Sequence, residues 1–439
     1  MKRRDLLKSA AIPLTMAGGL NAVPAEAGDP LAEMSENLPA DIQQRRDAAL
    51  AILQPSARDL EHGLKLHADS LVFDSYSFSP TSAIDGETIR EATMAGASDI
   101  ELEDLREDMM MTRHVTVEHE REEYFRAWKA SGVTCVFQNA GQECQDPLRL
   151  IKRLARFTYA TDFLKEFVFR AANPDEIVKA KEQGRRCLYL TGNGVPLTQQ
   201  WESIPDELRY VRVFQQLGIR MMHLTYQRRN MIGDGCGEPG NAGLSDFGRA
   251  VVREMNRLGV IVDCAHSGWR TSLESALASE KPMVASHTVA AGLHEHFRGK
   301  PDEVIKAIAD TGGLVGICCI SRFLGGKGDI VALLDHIDYV AKKFGVDHVA
   351  IGTDVGHSSS FGVEERKKAA VSGLRRRREP FRSLWPKDDF VPGEGAVDSI
   401  AWTNWPLFTV GLVQRGYSDG DIRKIVGGNV LRVARADQG

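Results

Sequence analysis

Two histidines close two consecutive apolar runs. Gly259-Val260-Ile261-Val262-Asp263-Cys264-Ala265 ends on His266, and Lys281-Pro282-Met283-Val284-Ala285-Ser286 ends on His287. Imidazole titrates near neutral pH, and each neutral ring offers one nitrogen lone pair. Two such rings brought together can hold a metal ion or work as acid and base. Either histidine alone is as well read as a strand-end residue satisfied by local hydrogen bonds. Repetition at consecutive strand ends, with a helix-like segment between them, favours chemistry.

For the two rings to converge, their runs must be neighbouring parallel strands joined by a helix. The rest of the chain supplies that architecture. Apolar strand candidates lie at 70–74, 132–137, 185–194, 219–226, the two runs ending at His266 and His287, 313–320 and 348–354. Helical periodicity falls between them, at 149–169, 207–217, 244–258, 301–311 and 330–344, and two helices at 404–415 and 419–434 close the chain. Ser245 is placed to cap the helix at 244–258, and Pro301 stands near the start of its own. Eight strands alternating with helices predict an α/β fold, a (β/α)8 TIM-type barrel over 70–439, with its site at the strand ends.

Three segments stand outside that pattern. Residues 28–69 read as an N-terminal extension of surface helices packed across one barrel end. An insertion at 83–119 is acidic and then methionine-rich, with helical turns covering the barrel mouth; Met109, Met110 and Met111 read as packing, and His114 and His119 as weak ligand candidates. A second insertion at 356–395 carries Arg375 to Arg378, a charge run expected on a solvated helix face.

Of the 439 residues, 43% are hydrophobic and 26% charged, an ordinary globular balance with material for a large core. The net charge is -5 and no sustained basic face occurs, which speaks against nucleic acid as a partner. Residues 1–27 read as a leader of the twin-arginine type: Arg3-Arg4-Asp5-Leu6-Leu7, an apolar stretch, then Ala25-Glu26-Ala27. The apolar stretch contains Pro13, Gly18 and Gly19 and is too short for a stable membrane span. The expectation is a soluble, periplasmic or otherwise exported protein, carried by machinery that moves folded chains. Seven cysteines, most inside apolar runs, read as small buried hydrophobes, with a Cys144–Cys236 bridge left open.

Several strings are similar to one family. They are Leu244-Ser245-Asp246-Phe247-Gly248 through Asp263-Cys264-Ala265-His266, Ala285-Ser286-His287-Thr288, Phe297-Arg298-Gly299, Gly352-Thr353-Asp354 and Gly427 through Arg432. Together these resemble the membrane dipeptidases (renal dipeptidase-like, peptidase family M19) over about residues 70–435. The resemblance implies a metal-dependent, amidohydrolase-like barrel, usually with two zinc ions and a bridging hydroxide that cleave dipeptides, and often a homodimer. His266 and His287 match the pair on the second zinc. Asp354 matches the aspartate that handles protons, and Arg298 the arginine that meets the substrate carboxylate.

The same resemblance marks departures. Tyr76 and Phe78 stand where the family has the His-x-Asp ligands of its first strand. Thr191 replaces the bridging glutamate, and Tyr226 replaces a fourth-strand histidine. A neutral hydroxyl cannot bridge two divalent cations as a carboxylate does. Two readings follow. One is a hydrolase of a dipeptide or similar small amide with at most one zinc, held by His266, His287 and either Asp354 or His357, with Asp354 and Tyr226 catalytic and Arg298 and Tyr76 on the substrate. The other is a metal-free pocket filled by Tyr76 and Tyr226, belonging to a different periplasmic tailoring enzyme or a small-ligand binding protein.

Overall fold

The computed structural model describes residues 29–141, 146–371 and 381–438. The leader at 1–27, Cys144 and the Arg375–Arg378 run lie outside the described residues. Among the described residues nine parallel strands form one sheet. They are β1 (Phe73–Ser77), β2 (Cys135–Asn139), β3 (Val168–Arg170), β4 (Arg186–Gly192), β5 (Ile219–His223), β6 (Ile261–Asp263), β7 (Val284–Thr288), β8 (Leu314–Ile317) and β9 (Val349–Ile351). Eight of them run in sequence order from β1 to β9, and β3 pairs only with β4. The seam between β9 and β1 closes just past the strand ends: Asp354 N donates to Tyr76 O at 3.0 Å. The architecture is a (β/α)8 barrel.

Period-two alternation builds it. Phe73, Cys135, Phe137, Tyr189, Met221, Ile261, Val284, Leu314 and Ala350 form the interior cluster. Their strand neighbours Val136, Leu188, Leu190, Met222, Val262, Ala285, Val315 and Ile351 belong to the cluster between barrel and helices. Phe73 stacks on Phe137 at 5.0 Å, with Tyr189 against both, so three aromatic rings pack together in the interior.

The helix Asp246–Leu258 shows how the sequence delivers a strand to the site. Ser245 caps it by accepting from Gly248 N, and Val251, Val252 and Met255 bury one face at helical spacing. Each such side chain contributes about 1.5–3 kcal/mol on burial, so a charge at Val251 would break the face. Gly259 ends the helix at φ 65°, a left-handed cap that costs a side-chain-bearing residue more than glycine. The chain then turns directly into β6.

Three boundaries differ from the sequence expectation. The helix expected at 149–169 stops at Phe163, and Val168-Phe169-Arg170 forms β3. This strand covers the first half of β4, at Arg186 to Leu188, while β5 pairs with the second half, at Leu190 to Gly192. The run expected to end at Tyr226 leaves the sheet at His223. The segment after β1 is more helical than loops with turns: it forms helices Gly86–Met94 and Asp99–Thr116, the latter with a Ser98/Glu101 capping box. Its acids are used in docking. Glu107 meets Arg149 at 2.6 Å and Arg153 at 2.5 Å, and Asp104 meets Arg156 at 2.7 Å.

Candidate active site

The side chains at the carboxyl ends of β1, β5, β6, β7 and β9 meet in one cluster. His287 lies within β7, and His266 lies three residues past the end of β6. Their Nε2 atoms face one another at 2.9 Å. Tyr76, on β1, lies nearly flat on His287, with ring centroids 3.8 Å apart and planes 15° apart. Tyr226 lies over His266 at 4.1 Å, with Trp385 beyond it at 5.9 Å. Asp354 Oδ1 is 4.0 Å from His287 Nε2, and its side chain keeps 21% exposure where His287 has none.

A chain of polar contacts runs behind the pair. Ser286 Oγ donates to Asp263 Oδ2, and Ser286 N donates to Asp263 Oδ1 at 3.1 Å. With its one hydroxyl proton so used, Ser286 Oγ accepts from His287 Nδ1 at 2.8 Å. That places the His287 proton on Nδ1 and turns the Nε2 lone pair toward His266. Beyond Asp263 stands a third imidazole. His223 Nε2 lies 2.6 Å from Asp263 Oδ2, outside the angle of a well-formed hydrogen bond, and His223 Nδ1 meets Asn193 Oδ1.

Glycines admit this arrangement. A Cβ on Gly316 or Gly352 would fall 2.0 or 1.9 Å from Ser286 O. That carbonyl instead accepts from Ser75 Oγ at 2.7 Å, which fixes the backbone beside His287.

Electrostatics follow from burial. Desolvation, then the neighbouring Arg298 guanidinium, holds both His266 and His287 well below the usual imidazole value. Burial pushes the Asp354 carboxyl up to about 6, although Arg298 and His223 pull it back. Burial would also raise Asp263, but His223 and the Ser286 hydrogen bonds outweigh it and hold that carboxyl low. Asp354 has φ 57°, a left-handed conformation that costs a non-glycine residue about 1–3 kcal/mol and clusters at functional sites.

The remaining expected residues fall as follows. Arg298 is fully buried; Nη1 donates to Ala265 O and Nη2 to His287 O at 3.1 Å. Its fork is therefore spent on the backbone of both histidine segments rather than held open toward the mouth. Thr191 is buried and donates to Met221 O at 3.0 Å. Phe78 stands edge-on to Tyr76 at 6.0 Å. His357 is not a partner of the pair: it contacts Glu123 Oε1 at 2.9 Å and Arg45 Nη1 at 3.0 Å, between the N-terminal helices and the loop after β9. His114 stacks on Tyr124, and the exposed His119 packs against Phe361. Cys236 is a free cysteine whose Sγ donates to Gln227 Oε1 at 2.5 Å.

His223, Asn193 and Asp263 were missed by the sequence reading. The signal for His223 was the one that singled out His266 and His287, a histidine closing an apolar run, here Met221-Met222-His223. Extending that strand to Tyr226 hid it.

The sequence profile of the membrane dipeptidase family (peptidase family M19) matches residues 60–371, and the chain belongs to that family. Dipeptidase verJ of Clonostachys rogersoniana is 30% identical over 226 residues, 51% of this chain and 50% of that protein. Dipeptidase tcpJ of Claviceps purpurea is 26% identical over 272 residues, 60% and 54% of the two chains. The chain thus spans about half the length of the curated relatives it matches. A solved amidohydrolase from Pseudomonas aeruginosa is 29% identical, with a TM-score of 0.60 over 85% of this chain and 98% of that one. Among the described residues no helix is long and apolar enough to cross a membrane.

Proposed function

We propose that this chain hydrolyses a dipeptide or similar small amide, with a single zinc ion held by His266, His287 and Asp354. The observation that carries the reading is the facing pair of Nε2 atoms, 2.9 Å apart, with a carboxylate oxygen 4.0 Å from one of them. Two imidazoles and one carboxylate with open positions are a donor set that suits zinc.

A two-ion centre does not fit these residues. It needs a carboxylate between the ions, and Thr191 offers a hydroxyl already donated to Met221 O. Tyr76 and Phe78 fill the space in which a first-strand pair of ligands would stand. One ion fits better. His287 gives its other nitrogen to Ser286, as ligating histidines do, while His266 Nδ1 is buried without a partner.

Bound there, zinc would polarise a substrate carbonyl and lower the pKa of a water. The protein does the rest. Asp354, ionised above about pH 6, takes the proton of the attacking water and passes it to the leaving amine. The Tyr226 ring packs on His266, and its phenol would be the donor to the substrate carbonyl oxygen as charge develops there. Arg298 acts as a fixed buried cation beside both histidines, favouring an anionic substrate or intermediate. The Asp263–Ser286 contacts hold His287 in one tautomer.

One feature favours a second, metal-free reading, as a different tailoring enzyme or a small-ligand binding protein. The direct 2.9 Å contact and the stacked Tyr76 leave the pair complete as a hydrogen bond, with Tyr76, Tyr226 and two neutral imidazoles as acid–base groups. Metal content of the purified protein, measured with turnover on a dipeptide panel, separates the two. One zinc per chain with turnover supports the first, and neither zinc nor turnover removes it. Export to the periplasm is supported by the Arg3-Arg4 leader and is tested by cell fractionation.

A further inference from the structure

The barrel end opposite the histidines holds a cavity of about 780 Å³. It lies among the segments that lead into β5, β6 and β7 and the end of the last helix, and shares no residue with the site above. Groups on this face of a barrel ordinarily serve stability. Two polar groups here do not.

Asp437 is 3% exposed, and both its carboxylate oxygens are buried without a hydrogen-bond partner. Asn256 accepts from Glu280 N at 2.7 Å through Oδ1, yet its Nδ2 is buried and unpartnered. Both side chains line the cavity. An uncompensated buried carboxylate and a lost amide hydrogen bond each cost stability. Burial pushes the Asp437 carboxyl up to about 7, with Lys281 drawing it back.

The rest of the charged lining is mostly cationic, with Glu280 as a second carboxylate. Arg220, Arg253, Arg257 and Lys281 all border the cavity. Arg257 is paired with Glu254 at 2.7 Å, whereas the exposed Arg253 meets no carboxylate among the described residues. Two carboxylates, the buried Asp437 and the exposed Glu280, among four cations make a poor donor set for a divalent ion, which wants several oxygens free of competing positive charge. A simple anion would leave Asp437 uncompensated. A ligand with an ammonium at one end and a carboxylate at the other satisfies both. The volume falls in the range of small-molecule sites, roughly 300–1,000 Å³.

We propose that this rear cavity binds a small zwitterion of the amino-acid class, its ammonium on Asp437, its carboxylate at Arg253 and its polar middle on Asn256. The inference stands on the cavity alone and does not depend on what the histidine pocket catalyses.

Calorimetric titration of the intact protein with L-leucine, N-acetyl-L-leucine and L-leucinamide tests it. L-leucine binds, and N-acetyl-L-leucine, which lacks the ammonium, binds at least about tenfold more weakly, the scale of one charged hydrogen bond. Asp437→Asn causes a similar loss, and Arg253→Ala weakens L-leucine but not L-leucinamide. His266→Ala leaves L-leucine binding unchanged. Absence of L-leucine binding overturns the proposal, as does affinity that survives Asp437→Asn or is lost in His266→Ala, which places it in the front pocket. Asp437→Asn removes an uncompensated charge, so its melting temperature should equal or exceed the parent's. Should it fail to fold, Arg253→Ala with the acetylated ligand still decides.

Discussion

His266 and His287 meet head to head, Nε2 to Nε2, at 2.9 Å, from segments that follow different strands. Only one proton or one ion fits between them. Ser286 holds the His287 proton on Nδ1, so the shared position receives either the His266 proton or a metal. Burial and Arg298 keep both rings neutral, which is the ligating state.

Alanine at either histidine removes one of the two facing donors. We expect zinc to fall from one per chain to near none, with a loss in dipeptide turnover of about 10²–10⁴-fold, the range for a positioned catalytic group. Elemental analysis and a turnover assay check this. Full zinc retention in His287→Ala would defeat the ligand assignment.

Asp354 sets a pH dependence of both activity and stability. Its folded value of about 6 lies above the ordinary 3.8, so the folded state binds the proton more tightly. The stabilising contribution is complete below the ordinary value and is lost as pH rises through about 6. Turnover should instead rise through that window as the base ionises. In the protein stripped of metal by a chelator, Asp354→Asn should raise the melting temperature at about pH 7.5 and leave it little changed at about pH 4, and the zinc-supplied variant should show no turnover. A variant that is less stable at the higher pH would refute the account.

His223→Asn and Asp263→Asn disturb the support of His287 rather than the pocket surface. Such supporting partners are worth about 10–100-fold in activity or metal affinity. We expect kcat to fall with KM nearly constant and zinc to bind more weakly. An unchanged zinc affinity in both variants would show that the contacts serve packing alone.

Thr191→Glu places a carboxylate at the position that the family resemblance assigns to the bridge between two ions. Thr191 is fully enclosed, and Tyr76 and Phe78 still occupy the neighbouring space. The expected result is a lower melting temperature and no gain in zinc per chain. A second zinc in this single variant would show that the space can reopen.

Gly316→Ala places a methyl 2.0 Å from Ser286 O. Overpacking of this kind costs about 1–3 kcal/mol, and here the displaced backbone carries His287. Denaturant unfolding should show the loss in stability, with turnover falling beside it. Stability equal to the parent's would mean that the β7 backbone yields freely.

The barrel was legible because period-two and period-3.6 patterns are local. Strands β8 and β9, the helix at 246–258 and its Ser245 cap and Gly259 stop all follow from near neighbours in sequence. The short β3 was not legible. Three residues after a long amphipathic helix give no period to count, and only the uncovered half of β4 makes Val168-Phe169-Arg170 a strand.

The sequence by itself determined the family, the barrel and the absence of carboxylates at Thr191 and Phe78, since residue type at a position in a motif needs no coordinates. Tertiary structure decided which groups touch. It removed His357 from the pocket, turned the Arg298 fork onto two backbone carbonyls and brought in His223, 43 residues before His266 in the chain by their numbers. Contact range is the reason: a hydrogen bond acts over about 3 Å, and only the closed barrel sets distances that small between strand ends so far apart in sequence.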